Sequence, residues 1–306
     1  MTAPVIVGID HGYAAIKTAN FVFPSGVVAF DTPPPMQQGL LEYEGRFYVC
    51  GGGRQPLLKD KTANENYFLL TLAALAKEVK LRTGSGKAEV VIAAGLPLTG
   101  FGKDKAAFRS YLFPQKQPVI FRYEDGEYEL TVCDVMLYPQ GFAAIAANMD
   151  ALGNEPSVVI IDIGGWTVDV MRMDNRSVDT STCRSLELGV IRCMDEIKEQ
   201  VRRTLGLSLT DAQVQAILSD APCAVGEQAK VIVSRQGRLY VERLLSEINE
   251  CGFDLRALPA IFMGGGASLV KPRVAARDGL CRPVYLTDVC LNAKAFEAAV
   301  RQRSRP

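Results

Sequence analysis

With 306 residues, 48% of them apolar and 22% charged, the chain is long enough for two domains, each with a sizeable core. Lysine plus arginine equals aspartate plus glutamate at 34 each, so the zero formal net charge excludes a whole-molecule attraction to nucleic acid or to an anionic membrane. The ending Arg301-Gln302-Arg303-Ser304-Arg305 is a local basic exception that reads as a solvated tail rather than a DNA arm. No apolar run is long enough to span a bilayer, and the N-terminus lacks a signal-peptide pattern. The 8 cysteines are scattered without a close CxxC pair, and the single histidine argues against a zinc site. Reduced, mostly buried thiols in a cytoplasmic protein are expected.

Val5-Ile6-Val7-Gly8-Ile9-Asp10 is an apolar, β-branched run that ends on a carboxylate, the pattern of a buried central strand with its active end at Asp10. Ala15 to Phe23 reads as its antiparallel return, with Gly12-Tyr13 in the turn. Leu40 to Val49 forms a second hairpin around Glu44-Gly45, and the triple proline Pro33-Pro34-Pro35 before it marks an insertion boundary. Asn66 to Arg82 has helical spacing. Glu89 to Ala94 is a strand leading into Gly95-Leu96-Pro97-Leu98, a strand pair surrounds Tyr123 to Tyr128, and Gln140 to Met149 is helical.

After a break at Gly153-Asn154-Glu155-Pro156 the opening theme returns. Val158-Val159-Ile160-Ile161-Asp162-Ile163-Gly164-Gly165 is again an apolar strand, an acid and glycines, and Thr167 to Met173 is its return strand. Two copies of strand, carboxylate, glycine turn and strand imply an internal duplication. The more polar helical stretch from Val190 to Cys251 is the second half's insertion. Pro259 to Met263 is a late strand running into Gly264-Gly265-Gly266, and Leu291 to Arg301 is a closing helix.

Each copy offers the same device: a tight glycine turn aims backbone N–H groups at one point, which suits a phosphate oxygen. A carboxylate at the strand end can hold Mg²⁺ through water, and Lys17 supplies a cation for phosphate charge. Asp10 alone would also read as an ordinary strand-end cap. The second copy shifts that reading, because Asp162-x-Gly164-x-x-Thr167-x-Asp169 fixes four positions at once. Gly264-Gly265-Gly266-Ala267-Ser268 follows a strand and opens a helix; it is either a degenerate dinucleotide turn or a glycine stretch packing against a flat nucleoside. Gly84-Ser85-Gly86-Lys87 fails as a P-loop, since Ala88 replaces the Ser/Thr and Leu81 the first glycine. Gly51-Gly52-Gly53 reads as a flexible loop.

In this order the elements resemble the actin superfamily, and within it the ParM/StbA plasmid-segregation branch. Asp10-Gly12-Lys17 is similar to its first phosphate loop, Tyr138-Pro139-Gln140-Gly141 to its first connecting segment, and Asp162 to Asp169 to its second phosphate loop. Gly264-Gly265-Gly266 is similar to its adenosine motif and Leu291 to Phe296 to its second connecting helix. Gly95-Leu96-Pro97-Leu98, the hairpin near Tyr43 to Val49, and Glu187-Leu188-Gly189-Val190 resemble the ParM/StbA subgroup.

The resemblance implies an α/β fold of duplicated actin/Hsp70-type (ribonuclease H-like) domains flanking a nucleotide cleft. The first domain would cover 1–155 with an insertion near 31–62, and the second 156–306 with an insertion near 190–255; the C-terminal helix would return toward the first. The implied ligand is ATP, with GTP as an open alternative, together with Mg²⁺. Asp10 and Asp162 would arrange the metal's waters, Lys17 would touch phosphate, and Gln140 would orient the attacking water. Gly12, Tyr13, Gly164, Gly165, Trp166 and Thr167 would line the phosphates, and Gly264, Gly265 and Gly266 the nucleoside.

The chain departs from the family pattern at Gly12-Tyr13-Ala14, which lacks a hydroxyl, and at Trp166, where a small residue is common. His11 is expected inside the first loop.

Filament-forming ATPases, Hsp70-type chaperones and small-molecule kinases share this fold. The chain leaves no room for a peptide-binding domain, and neither Asp169 nor Asp134 sits in a kinase signature. A filament ATPase that drives plasmid segregation is therefore expected, with a sugar or acyl kinase, or a cell-shape or phage-DNA filament, as alternatives. Its expected partners are further copies of itself and a DNA-binding adaptor protein at the filament ends, with no direct contact to nucleic acid or membrane.

Overall fold

The structure, a computed structural model, describes residues 3–55, 60–113, 118–141, 145, 154–274 and 279–303. The helix expected from Gln140 to Met149 therefore lies largely outside the described residues. The chain divides into two compact units, Met1–Asn148 with Val289–Pro306, and Met149–Asp288.

In the first unit, strands β1 (Val5–His11), β2 (Ala15–Lys17), β3 (Val22–Pro24), β4 (Val27–Phe30), β5 (Leu40–Tyr43), β6 (Arg46–Cys50), β7 (Lys87–Leu96), β8 (Val119–Tyr123) and β9 (Gly126–Pro139) form one sheet. Its order is β3-β2-β1-β7-β9-β8-β5-β6-β4. Strands β1, β7 and β9 run parallel, so the residues that follow them gather along one edge of the sheet. Helices α1 (Asn66–Thr83), α2 (Phe101–Leu112) and α7 (Leu291–Arg303) complete this unit. Val7, Ile9, Leu70, Leu72, Leu75, Ile92 and Phe296 have almost no exposed surface, as expected for parallel strands covered by helices.

The second unit has strands β10 (Ser157–Ile163), β11 (Val168–Asp174), β12 (Ser177–Leu186), β13 (Ala260–Met263) and β14 (Pro283–Tyr285), in the order β12-β11-β10-β13-β14. Helices α3 (Val190–Leu205), α4 (Asp211–Leu218), α5 (Glu227–Glu250) and α6 (Ala267–Val274) belong to it. Helix α3 places Ile191, Cys193, Ile197 and Val201 in the core and its charged residues outside.

The duplication is visible in the pairing. β3-β2-β1-β7-β9 and β12-β11-β10-β13-β14 both run antiparallel, antiparallel, parallel, parallel from one edge. Three sequence expectations change. The return strand from Ala15 to Phe23 is broken into β2 and β3, because Thr18 N–H closes a turn onto Phe21 O at 2.8 Å. The hairpin at 40–50, expected only as part of an insertion, pairs with β8 in the main sheet. Strands β12 and β14 were not expected.

Helix α7 is fastened to β1 where the short β2 no longer covers it. Gly8 N–H donates to Glu297 Oε1 at 3.0 Å, and Glu297 also takes Arg82 and Arg301. Arg82 in turn reaches Ile6 O at 2.6 Å and Glu78 at 2.7 Å, so a buried acid and a strand N–H are satisfied together. The approach is so close that a Cβ on Gly8 would lie 2.0 Å from Ala293 O. Gly8→Ala should lower the unfolding free energy in urea by about 3 kcal/mol, at the upper end for overpacking. A change under ~0.5 kcal/mol, the level of a neutral surface substitution, would mean that α7 is not held there.

Candidate functional site

Asp10 is only 3% exposed although it ends a strand. Its carboxylate is held from two directions: Lys17, directly opposite it on β2, places Nζ 3.1 Å from Oδ2, and Gln140 Nε2 donates to Oδ1 at 2.8 Å. Burial pushes this carboxyl up, but Lys17 and Lys61 outweigh that and hold it below its ordinary range. Gln140 sits just past β9, its N–H on Leu96 O at 2.8 Å, and the next N–H, of Gly141, reaches Asn292 Oδ1 on α7 at 3.2 Å. The first turn is tightened by Gly12 N–H on Asp10 O at 3.0 Å, and Ser25 Oγ–H donates to Tyr13 O.

Lys61 joins this edge without any signal in its own stretch of sequence. It is 8% exposed, and its Nζ donates to His11 O at 2.7 Å while lying 5.4 Å from the Tyr13 ring centre and 5.7 Å from that of Tyr67. A lone lysine between a glycine-rich loop and a helix carries no pattern; only the fold brings it to the first turn. Two lysines against one carboxylate leave this edge positive, which suits a polyphosphate.

His11 is not in the loop. It is the last residue of β1, fully buried, edge-on to Tyr67 and Phe108. Thr71 Oγ1–H donates to Tyr67 O at 2.7 Å, so Thr71 Oγ1 accepts from His11 Nε2–H at 2.8 Å. Burial, assisted by Lys61, pushes the imidazole down to about 3, and it stays neutral at pH 7.

In the second unit, Asp162 is buried at the end of β10 and pairs across the ladder with Asp169 on β11. Gly164 N–H closes the turn onto Thr167 O at 2.9 Å, and half-buried Gly165 and Trp166 lie between them. Gly264, at φ +82°, lies against the acid: a Cβ there would be 2.3 Å from Asp162 Oδ1. Gly266 is equally confined, by Ile163 and Val190, and its N–H donates to Ile163 O at 2.9 Å. Gly265 differs: a Cβ there would meet nothing within 4 Å, so the chain itself does not require glycine at that position.

Each unit thus gathers its predicted residues at the carboxyl ends of parallel strands, where open α/β sheets bind ligands. The first collects Asp10, Gly12, Tyr13, Lys17 and Gln140; the second collects Asp162, Gly164 to Thr167 and Gly264 to Gly266. Among the described residues no cluster of three His, Cys, Asp or Glu could enclose a metal ion. Asp10 and Asp162, each at the end of its strand, would suit Mg²⁺ held through its own waters, the habit of that ion.

The family described as actin-like proteins, N-terminal domain, matches residues 8–142. No curated protein matches the sequence. Among solved structures, an archaeal actin homologue in complex with ADP is 19% identical, with 97% of this chain and 99% of that one covered at a TM-score of 0.76. A 15-stranded ParM filament from Clostridium botulinum is 18% identical, over 98% and 100% of the two chains, at 0.77. Bacillus thuringiensis ParM with AMPPNP is 14% identical, over 99% and 100%, at 0.71. The chain has the actin-like fold of the ParM structures along its length, and its residues 8–142 match the actin-like N-terminal domain.

The buried imidazole makes stability depend on pH. Its folded pKa of about 3 lies below the usual 6.5, so between these values the unfolded chain binds more protons. Stability should therefore fall as pH drops below about 6.5, by about 2 kcal/mol from pH 7 to pH 5 through this group alone. The stability lost between pH 7 and pH 5, measured by urea titration, should be larger in wild type than in His11→Gln by about that amount, and equal losses would show that His11 is not buried in neutral form.

Proposed function

We propose that this protein is an actin-like ATPase that binds Mg²⁺-ATP, assembles into filaments and hydrolyses the nucleotide to release them. The observation that carries the reading is the setting of Asp10: a buried carboxylate gripped by Lys17 and Gln140 beside a glycine turn, with the strand, acid and turn repeated at Asp162. Similarity to proteins solved with ADP or AMPPNP, and as filaments, supports it.

In this reading Lys17 and Lys61 neutralise phosphate charge, and the turns at Gly12-Tyr13 and Gly164 to Thr167 present N–H groups to phosphate oxygens. Bound Mg²⁺ would supply charge neutralisation, with Asp10 and Asp162 orienting its waters. Gln140 gives its Nε2–H to Asp10, so its amide oxygen is the end available to accept a hydrogen bond from water. A glutamine is no strong base, and its task is to aim the attacking water. The neutral His11 is spoken for by Thr71 and takes no part. Gly264, Gly265 and Gly266 lie against the nucleoside, and the open side of Gly265 leaves room for the base.

Hydrolysis would act on assembly through the strength of subunit contacts. Head-to-tail contacts propagate as a filament, and weakening each by ~1.4 kcal/mol raises the critical concentration about tenfold. Plasmid segregation through a DNA-bound adaptor at the filament end is the cellular role that this reading favours. The balanced charge accords with an adaptor, not the filament, holding DNA.

Mg²⁺-ATP added to micromolar protein should raise light scattering, yield pelletable filaments and release phosphate to water; GTP serves as the competing nucleotide. Gln140→Ala should slow phosphate release by about 100-fold, the cost of a misplaced reactant, while early assembly changes little. Nucleotide binding without assembly, with the phosphoryl group passed to a small acceptor, would replace this reading with a kinase. Wild-type turnover in Gln140→Ala would remove Gln140 from the mechanism.

A further inference from the structure

The second glycine turn does not keep its shape by itself. Three successive carbonyls are taken up by the start of α3: Val190 N–H donates to Gly164 O at 3.1 Å, Ile191 N–H to Gly165 O at 2.8 Å, and Gly189 N–H to Trp166 O at 2.8 Å. The C=O and N–H of a planar trans peptide point in opposite directions. The N–H groups of Gly165, Trp166 and Thr167 therefore leave the turn on the side away from α3.

We propose that Gly189, Val190 and Tyr240 are positioning residues for phosphate binding, holding the turn's carbonyls so that its N–H groups face an anion. The inference rests on the nucleotide-binding function proposed above. Helix α3 does not itself meet the ligand; its first N–H groups are spent on the turn, and the turn's own N–H groups are thereby aligned.

Two further features fit this role. A Cβ on Gly189 would lie 2.3 Å from the Trp166 carbonyl carbon and 2.4 Å from Gly165 O, so the helix start can approach only as glycine. One residue earlier, Leu188 O accepts from Tyr240 Oη–H at 2.7 Å, and Tyr240 is buried on α5. The corner is thus pinned from behind by a long helix. Alignment of backbone dipoles before the ligand arrives spares the reorganisation that a loose turn would need. Because turn and helices are bonded directly, a change in phosphate occupancy at the turn also has a short route to α3 and α5.

Val190→Pro isolates one of these bonds. Position 190 opens the helix, where proline is well tolerated, and Gly189 already has the extended backbone (φ −64°, ψ 165°) that precedes a proline. The variant loses the N–H that holds Gly164 O and also exchanges the side chain packed beside Gly266. Val190→Ala, which changes that side chain and keeps the N–H, is therefore the control and should bind ADP as wild type does. Calorimetry should show ADP bound about tenfold more weakly, while adenosine, which lacks phosphates, competes as well as for wild type. Emission from Trp166, the only tryptophan, should respond less to saturating ADP. Tyr240→Phe should move the same readings in the same direction by a smaller amount, and carries the test alone if Val190→Pro does not fold. Wild-type ADP affinity in Val190→Pro and Tyr240→Phe, a loss in Val190→Ala as large as in Val190→Pro, or equal losses for ADP and adenosine, would overturn the positioning role. No ADP binding by wild-type protein would overturn the nucleotide reading, and this one with it.

Discussion

A carboxylate cannot be buried in an apolar edge without partners, and Asp10 sets that condition for the first unit. Its charge is met by Lys17, which requires the register of β2 against β1, and by Gln140, which requires the end of β9 to arrive beside β1. Lys61 adds a second cation from the segment ahead of α1. Lys17 and Gln140 thus bring two separate stretches of chain to one oxygen pair, and Lys61 places a further charge nearby. The same contacts that make Asp10 affordable in the fold leave the edge net positive, so the stability requirement and the proposed affinity for polyphosphate would have one origin.

The two units share a five-strand frame and differ in how they treat the acid at its end. Asp10 faces lysines and an amide, whereas Asp162 faces another acid across the ladder and a glycine backbone. The first turn is stiffened by side chains, Ser25 on Tyr13 O and Lys61 on His11 O. The second is stiffened by main chain, through the start of α3. A duplicated frame has therefore acquired two different ways of holding a turn still.

Much of this was legible in the sequence. Asp10, Gly12, Gly164 and Gly264 stood out because a strand that ends in an acid and a glycine is rare twice in one chain. β12 escaped because Ser177–Leu186 is a largely polar edge strand without an apolar alternation, and β14 because three residues make no period. His11 leaves the loop because β1 runs on to pair it with Ile16, and its burial against Thr71, 60 positions away, has no local mark. Lys61 was invisible for the same reason. Long-range contacts decide the burial of His11 and the placement of Lys61, and they leave no mark in neighbouring residues. The break in the return strand was signalled only weakly, by Thr18 and Asn20, residues that compete for local turns.

The end of the chain bears on the chemistry more directly than its position suggests. Helix α7 lies behind β1 and β7 and touches the site's supports at three points: Glu297 on Gly8, Asn292 on Gly141, and Phe296 against Gly95. The last is instructive, since a Cβ on Gly95 would lie 2.2 Å from the Phe296 ring and 2.9 Å from Gln140 Cγ. Gly95 therefore has no side chain so that an aromatic ring and the amide arm can pass on one side of the strand. Gln140 is placed by that space, by its own N–H on Leu96 O and by the Asn292 anchor on the next peptide. The role proposed for Gln140, aiming a water, would require it to be held to within a fraction of an ångström. Here that precision comes from a helix some 150 positions further along the chain, |i−j| = 151 between Gly141 and Asn292.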